Sequence, residues 1–219
     1  GKRGHLKQSL AVVRALREHV QDLREQVVAV QFRGRLARVL ALLWSGLVPG
    51  RIGALTCLRL SLTPTCFRSL AGSYADIVVS CGAAAAPINL LVAAENRAKS
   101  VVVMKPTLLP LRRFDLVIAP RHDGLPARRN VLSIAGAISR IQEKDLEAAR
   151  ATLEAHPRFQ PLSHPVIGVF LGGETPDYAL PTAFVESLVK QVMSACVQLR
   201  GSYMVTTSRR TPHQAERLL

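Results

Sequence analysis

The chain has 219 residues, 48% of them apolar and only 5% aromatic, a composition that builds an aliphatic core in one large domain or two modest ones and excludes a disordered polypeptide. Its formal net charge is +14 and its pI about 10.8, an excess that attracts anions such as nucleic acid, acidic lipid or a phosphorylated ligand. No apolar run reaches the roughly 18 residues that span a bilayer, and the polar, basic start does not read as a signal peptide.

The arginines from Arg14 to Arg129 are scattered and do not form one block, which excludes a basic tail. Cys57, Cys66, Cys81 and Cys196 form no CxxC pair and no zinc spacing, so no metal site is expected and reduced thiols in a cytoplasmic protein are.

The residues Gly1 to His5 read as a basic loop ahead of a helix over 6–20, where Leu6, Leu10, Val13, Leu16 and Val20 recur at helical spacing. A β-branched run over 27–32 predicts a strand. The segment 36–47 predicts a strongly apolar helix containing Trp44, ended by Pro49 and Gly50. Short helical pieces broken at Pro64 follow over 53–70. Strands are expected over 76–80, 100–104, 114–119 and 130–134, and helices over 84–94, from 136 to 141, and over 143–156. The proline-bearing stretch 157–165 reads as a linker. Beyond it the rhythm restarts with a strand over 166–171, a helix over 183–199, a strand over 203–206 and a helical pattern from Pro212. Both ends look cut, as if a strand preceded Gly1 and a longer segment followed Leu219. Alternating strands and helices argue for an α/β fold with parallel sheets, in domains over 1–160 and 161–219, the second truncated.

Ligands bind such sheets at the carboxyl ends of the strands, which directs attention to the loops. Gly1, Lys2, Arg3 and Gly4, with His5, could take an anion, although the spacing of a Walker loop is absent. The turn of Ser80, Cys81 and Gly82 could bring backbone amides to a ligand. Pro120, Arg121, His122, Asp123 and Gly124 offer an acid–base pair, with His122 the better proton carrier near neutrality. Gly172, Gly173 and Glu174 set a glycine pair before a carboxylate. Thr206, Thr207, Ser208, Arg209, Arg210 and Thr211 gather hydroxyls and two guanidiniums at one strand end, a dense set of phosphate donors. The plainer reading of Thr211 is a cap for the next helix.

The opening Gly1-Lys2-Arg3-Gly4-His5 with Gln8-Ser9, the middle run from Phe114 to Asp123, Asn130-Val131 with Gly136-Ala137, and the closing run from Thr206 to Pro212 resemble the "elongated mitochondria" fission-factor family. Its bacterial members are labelled glycosyltransferases, and older labels call them nucleoside-diphosphate-sugar epimerases. The resemblance spans nearly the whole chain in order. It implies a GT-B-like fold of two Rossmann-like domains, the amino-terminal one (1–160) on the acceptor side and the carboxyl-terminal one (161–219) on the donor side. Gly172, Gly173, Glu174, Thr207, Ser208, Arg209 and Arg210 would then meet the donor diphosphate. Gly1 to Gly4 would form the acceptor or anion loop, with His5, His122 and Asp123 as the acid–base candidates. The resemblance also implies later strands of a donor domain, expected beyond the residues of this sequence.

The leading expectation is transfer of a sugar from a nucleotide sugar, itself substrate rather than cofactor, to an acceptor that could be lipid-linked. Epimerisation of a nucleotide sugar is one alternative, and a non-enzymatic membrane-associated adaptor in fission or envelope shape is another. The apolar segment 36–48 beside Arg33, Arg35, Arg38 and Arg51 could rest on an anionic membrane surface, placing the protein peripherally. Scattered cations and few aromatics speak against a nucleic-acid platform.

Overall fold

The computed structural model describes every residue except Gly1, Lys2, Pro49, Arg140, Arg158, Pro176 and Asp177, and the backbone but not the side chain of Arg3. The chain divides into two compact units, Gly1–Ile141 and Gln142–Leu219.

The first unit opens with four helices: α1 (Arg3–Arg17), α2 (Arg35–Leu47), α3 (Ala54–Ser61) and α4 (Pro64–Ala71). Then come β1 (Ile77–Cys81), α5 (Ala86–Asn96), β2 (Lys99–Val103), β3 (Leu116–Pro120) and β4 (Val131–Ile134). The strands form one parallel sheet in the order β1-β2-β3-β4. Its centre is made of the runs Val101 to Val103 and Val117 to Ala119, all buried. Continuous β-branched runs are what a strand covered on both faces requires. Helix α5 is buried from Ala86 to Ala93, and its apolar residues have no solvent face because the sheet lies on one side and α2 and α3 on the other. One core joins Ala41, Leu58, Leu62, Ile88 and Leu91, from α2, α3 and α5 and the turn after α3; a second joins Leu90, Val102, Phe114 and Val117 beneath the sheet. Each fully buried Val or Leu contributes about 1.5–3 kcal/mol of transfer free energy.

Polar side chains complete this unit from inside. The amide of the buried Asn89 donates to the carbonyls of Val78 and Val101, 3.0 and 2.9 Å away, and so spans β1 and β2 from the helix above them. Asn130 donates to the carbonyls of Leu111 and Phe114, both at 2.8 Å. Asp115 accepts from the backbone N–H of Ser100 at 2.9 Å and from the Lys99 ammonium at 2.9 Å, tying the start of β3 to the start of β2.

Three expectations are corrected here. The segment 27–32 is not a strand: its only pairing is an isolated antiparallel bridge between Phe32 and Leu62. Val28, Val30 and Phe32 do alternate onto the helical core, so the period was there but no neighbouring strand was. The segment 136–141 is not helical at its described residues; the next helix, α6 (Glu143–Glu154), starts at a capping box in which Asp145 accepts from the Gln142 N–H at 3.0 Å. The anion loop at the start is not a loop where it is described: Arg3, Gly4 and His5 lie in the first turn of α1. Gly1 and Lys2 fall outside the described residues.

The second unit holds α6, β5 (Val166–Phe170), α7 (Thr182–Leu199), β6 (Ser202–Thr206) and the one-turn α8 (His213–Glu216). β5 and β6 pair in parallel, joined by α7 as crossover. Leu171, Val185 and Ala215 form its core, with Leu180, Leu188 and Val189 packed around them. At Gly201, between α7 and β6, a Cβ would come within 2.2 Å of the Pro165 carbonyl oxygen, so only glycine admits this close approach of backbone to backbone. Both units are thus Rossmann-like α/β structures with parallel strands, as the alternation of elements predicted.

Candidate functional site

The two strand ends of the second unit are clasped together. Thr211 is buried, and its Oγ1 donates to the Gly172 carbonyl at 2.8 Å. The same oxygen accepts from the backbone N–H of Ser208 at 2.8 Å, closing the loop after β6 on itself. The Glu174 N–H donates to the Arg210 carbonyl at 3.1 Å. A Cβ on Gly173 would lie 2.3 to 2.5 Å from backbone and Cβ atoms of Arg210, so the two loops touch backbone to backbone where the second glycine stands. Thr211 therefore does not cap α8, whose flanking residue is Pro212; it holds the glycine loop instead.

This clasp occupies most of the polar side chains the sequence singled out. Ser208 Oγ accepts from the Arg210 N–H at 3.2 Å. Thr207 Oγ1 donates to Glu216 at 3.1 Å. Glu174 Oε1 accepts from the Leu180 N–H at 3.1 Å, within its own loop. Arg209 and Arg210 are the exception. Both are exposed, and neither guanidinium makes a hydrogen bond or ion pair with the described residues. Two unneutralised guanidiniums on a braced loop can bind an anion without first leaving another partner.

The strand ends of the first unit carry the remaining candidates. Asp123 Oδ2 accepts from the Lys105 N–H at 3.2 Å, linking the loop after β3 to the loop after β2. His122 Nε2 stands 3.8 Å from Asp123 Oδ1, with the imidazole 74% exposed and the carboxylate 19% exposed. Asp123 thus braces two strand ends, and His122 faces solvent beside it. His5, in α1, lies on the turn after β1: a Cβ on Gly82 would come 2.7 Å from its Cε1. Gly82 has φ of +82°, a conformation that favours glycine, and a side chain there would displace the His5 ring. The sequence offered His5 and Gly82 as members of separate loops; the fold puts one on the other. Gly4 has open space around its Cα.

Cys81 ends β1 beside this turn. Burial pushes its thiol up to about 11, so it stays protonated at neutral pH and is no thiolate nucleophile.

The contacts that sequence reasoning missed are backbone-directed: Thr211 to Gly172, and Asp123 to Lys105. A threonine three residues after a serine, and an aspartate at a strand end, carry no mark of the distant amide or carbonyl they will meet.

A family model described as Mitochondrial fission ELM1 matches residues 3–219. Searches of curated proteins and of solved structures return no significant match.

Proposed function

The chain belongs to the Mitochondrial fission ELM1 family, and we propose that its second unit receives the diphosphate of a nucleotide sugar for transfer of the sugar to an acceptor, in the manner of a GT-B-type glycosyltransferase. One observation carries this reading: Arg209 and Arg210 are exposed, and unpaired among the described residues, at the carboxyl end of a parallel strand, on a loop braced by Thr211 and Gly173. That is where α/β sheets bind ligands. A departing nucleoside diphosphate gains negative charge as the glycosidic bond to it breaks, and guanidiniums carried on a braced loop stabilise that charge. Gly172 adds a backbone N–H with no acceptor among the described residues.

In the same reading the first unit serves the acceptor. His122 takes the proton from the acceptor hydroxyl, Asp123 positions the loop through the Lys105 N–H, and His5 lines the turn after β1. His122 is exposed enough to exchange its proton with solvent between turnovers.

Calorimetry on the intact protein with UDP, GDP and ADP, and with their sugars, tests the donor half. Each charge-assisted bond is worth about 1.5–3 kcal/mol, so the double variant Arg209→Ala/Arg210→Ala is expected to bind at least about a hundredfold more weakly. Equal affinity in the variant would sink the assignment. Labelled nucleotide sugar incubated without acceptor separates transfer from epimerisation, because only an epimerase converts it. His122→Asn is expected to slow transfer while leaving donor affinity intact.

A further inference from the structure

Helix α2 presents an apolar stripe that the first unit does not cover. Leu36 is 87% exposed, Val39 49%, Leu43 53% and Leu47 76%. They recur at three and four residues and so lie along one side of the helix. The opposite side is seated on the core through Ala41 and Ser45, both buried. The turn and helix that follow add exposed Ile52, Leu55 and Leu60.

The helix is firmly mounted. The Arg113 guanidinium donates to the carbonyls of Ser45 and Val48 at its carboxyl end, and Arg33 donates to the carbonyl of Leu62 at 2.8 Å beside its start. The stripe is thus displayed on a fixed platform, and at 13 residues it is about 20 Å long.

The stretch of chain around it carries charge of one sign. Between Glu25 and Asp76 the sequence has no Asp or Glu, while Arg33, Arg35, Arg38, Arg51, Arg59 and Arg68 fall inside that interval. Arg35, Arg38, Arg51 and Arg59 are exposed, and their guanidiniums have no partner among the described residues. Leucines on a mounted helix, with unpaired arginines and no acid in the same stretch of chain, are complementary to a surface that is apolar beneath and anionic above. We propose that α2 and the turn after it dock on an anionic phospholipid surface, the leucines entering the acyl boundary and Arg35, Arg51 and Arg59 meeting lipid phosphates. Among the described residues no helix is long and apolar enough to cross a membrane, so the contact lies in the plane of the interface.

The test is co-sedimentation of the full chain with vesicles of phosphatidylcholine alone, or containing phosphatidylserine, at low and high salt. Each arginine near an anionic surface multiplies partitioning by roughly fivefold. Arg35→Glu/Arg51→Glu, which alters exposed side chains and leaves the core untouched, is expected to lower binding to anionic vesicles more than about twentyfold. Leu43→Ser is expected to weaken binding at every salt concentration. The single tryptophan, Trp44, lies in this helix and gives a second readout: brominated acyl chains in anionic vesicles should quench it, and those in neutral vesicles should not. Equal binding to neutral and anionic vesicles overturns the proposal. So does the absence of vesicle binding with a concentration-dependent dimer that Leu43→Ser dissociates, which assigns the stripe to a second copy of the chain.

Discussion

Gly172 and Gly173 are adjacent and identical, yet their surroundings demand different things of them. A Cβ on Gly172 meets nothing within 4 Å, whereas one on Gly173 would come within 2.3 Å of the Arg210 backbone. Gly172→Ala is therefore expected to be nearly neutral. Gly173→Ala must push the two loops apart at a cost of about 2 kcal/mol or more, and with them it displaces Arg210. Urea denaturation and nucleotide calorimetry on the pair check both halves, and a neutral Gly173→Ala would mean the clasp is not rigid. Thr211 shows the same principle from the polar side. Its hydroxyl takes a backbone N–H from its own loop and gives its proton to the glycine loop, so one small side chain satisfies two strand ends at once.

At the scale of elements, the sheet of the first unit is joined at both ends by carboxylates. Asp123 joins the loops after β2 and β3, and Asp115 joins the starts of the same strands. Burial works to raise the Asp115 pKa, but hydrogen bonds from Ser100 and Lys99 outweigh it and hold the carboxyl below its ordinary value. A depressed carboxyl stabilises the fold fully above the unfolded pKa, about 3.9, and loses that contribution as pH falls through its native value. Asp115→Asn is expected to cost about 1 kcal/mol at pH 7, a modest figure because Lys99 is largely exposed. Below pH 4 the gap between variant and parent should close, as the parent carboxyl becomes neutral too. Thermal melts across that range measure it, and a gap that widens in acid would contradict the role. The elements most legible in the sequence were those whose own residues decide them. The apolar runs of β2 and β3 and the leucine-rich α2 fall where the sequence pattern places them. The segment 27–32 had strand character but lacked a partner, which local sequence cannot supply, and the helix expected at 136–141 begins instead where Gln142 and Asp145 can cap each other.

For the molecule as a whole, the charge of +14 sets solubility and anion attraction but not specificity. Its cations are spread over many elements, so duplex DNA should show only weak binding that disappears near physiological salt. Fluorescence anisotropy with a mixed-sequence duplex checks this, and a steep salt dependence with retained tight binding would revive a nucleic-acid role. The sequence by itself determined the α/β class, the order of most helices and strands, the family, and the interval without acids around α2. Those are local or compositional properties, carried by runs, periods and signs of charge. Tertiary structure alone decided what the side chains do. It turned Thr211 from a cap into a clasp, placed His5 on Gly82, committed Asp123 to a backbone amide and left Arg209 and Arg210 without partners among the described residues. Each depends on which distant backbone group comes within about 3 Å, a distance set by packing of the elements and written in no short stretch of the chain.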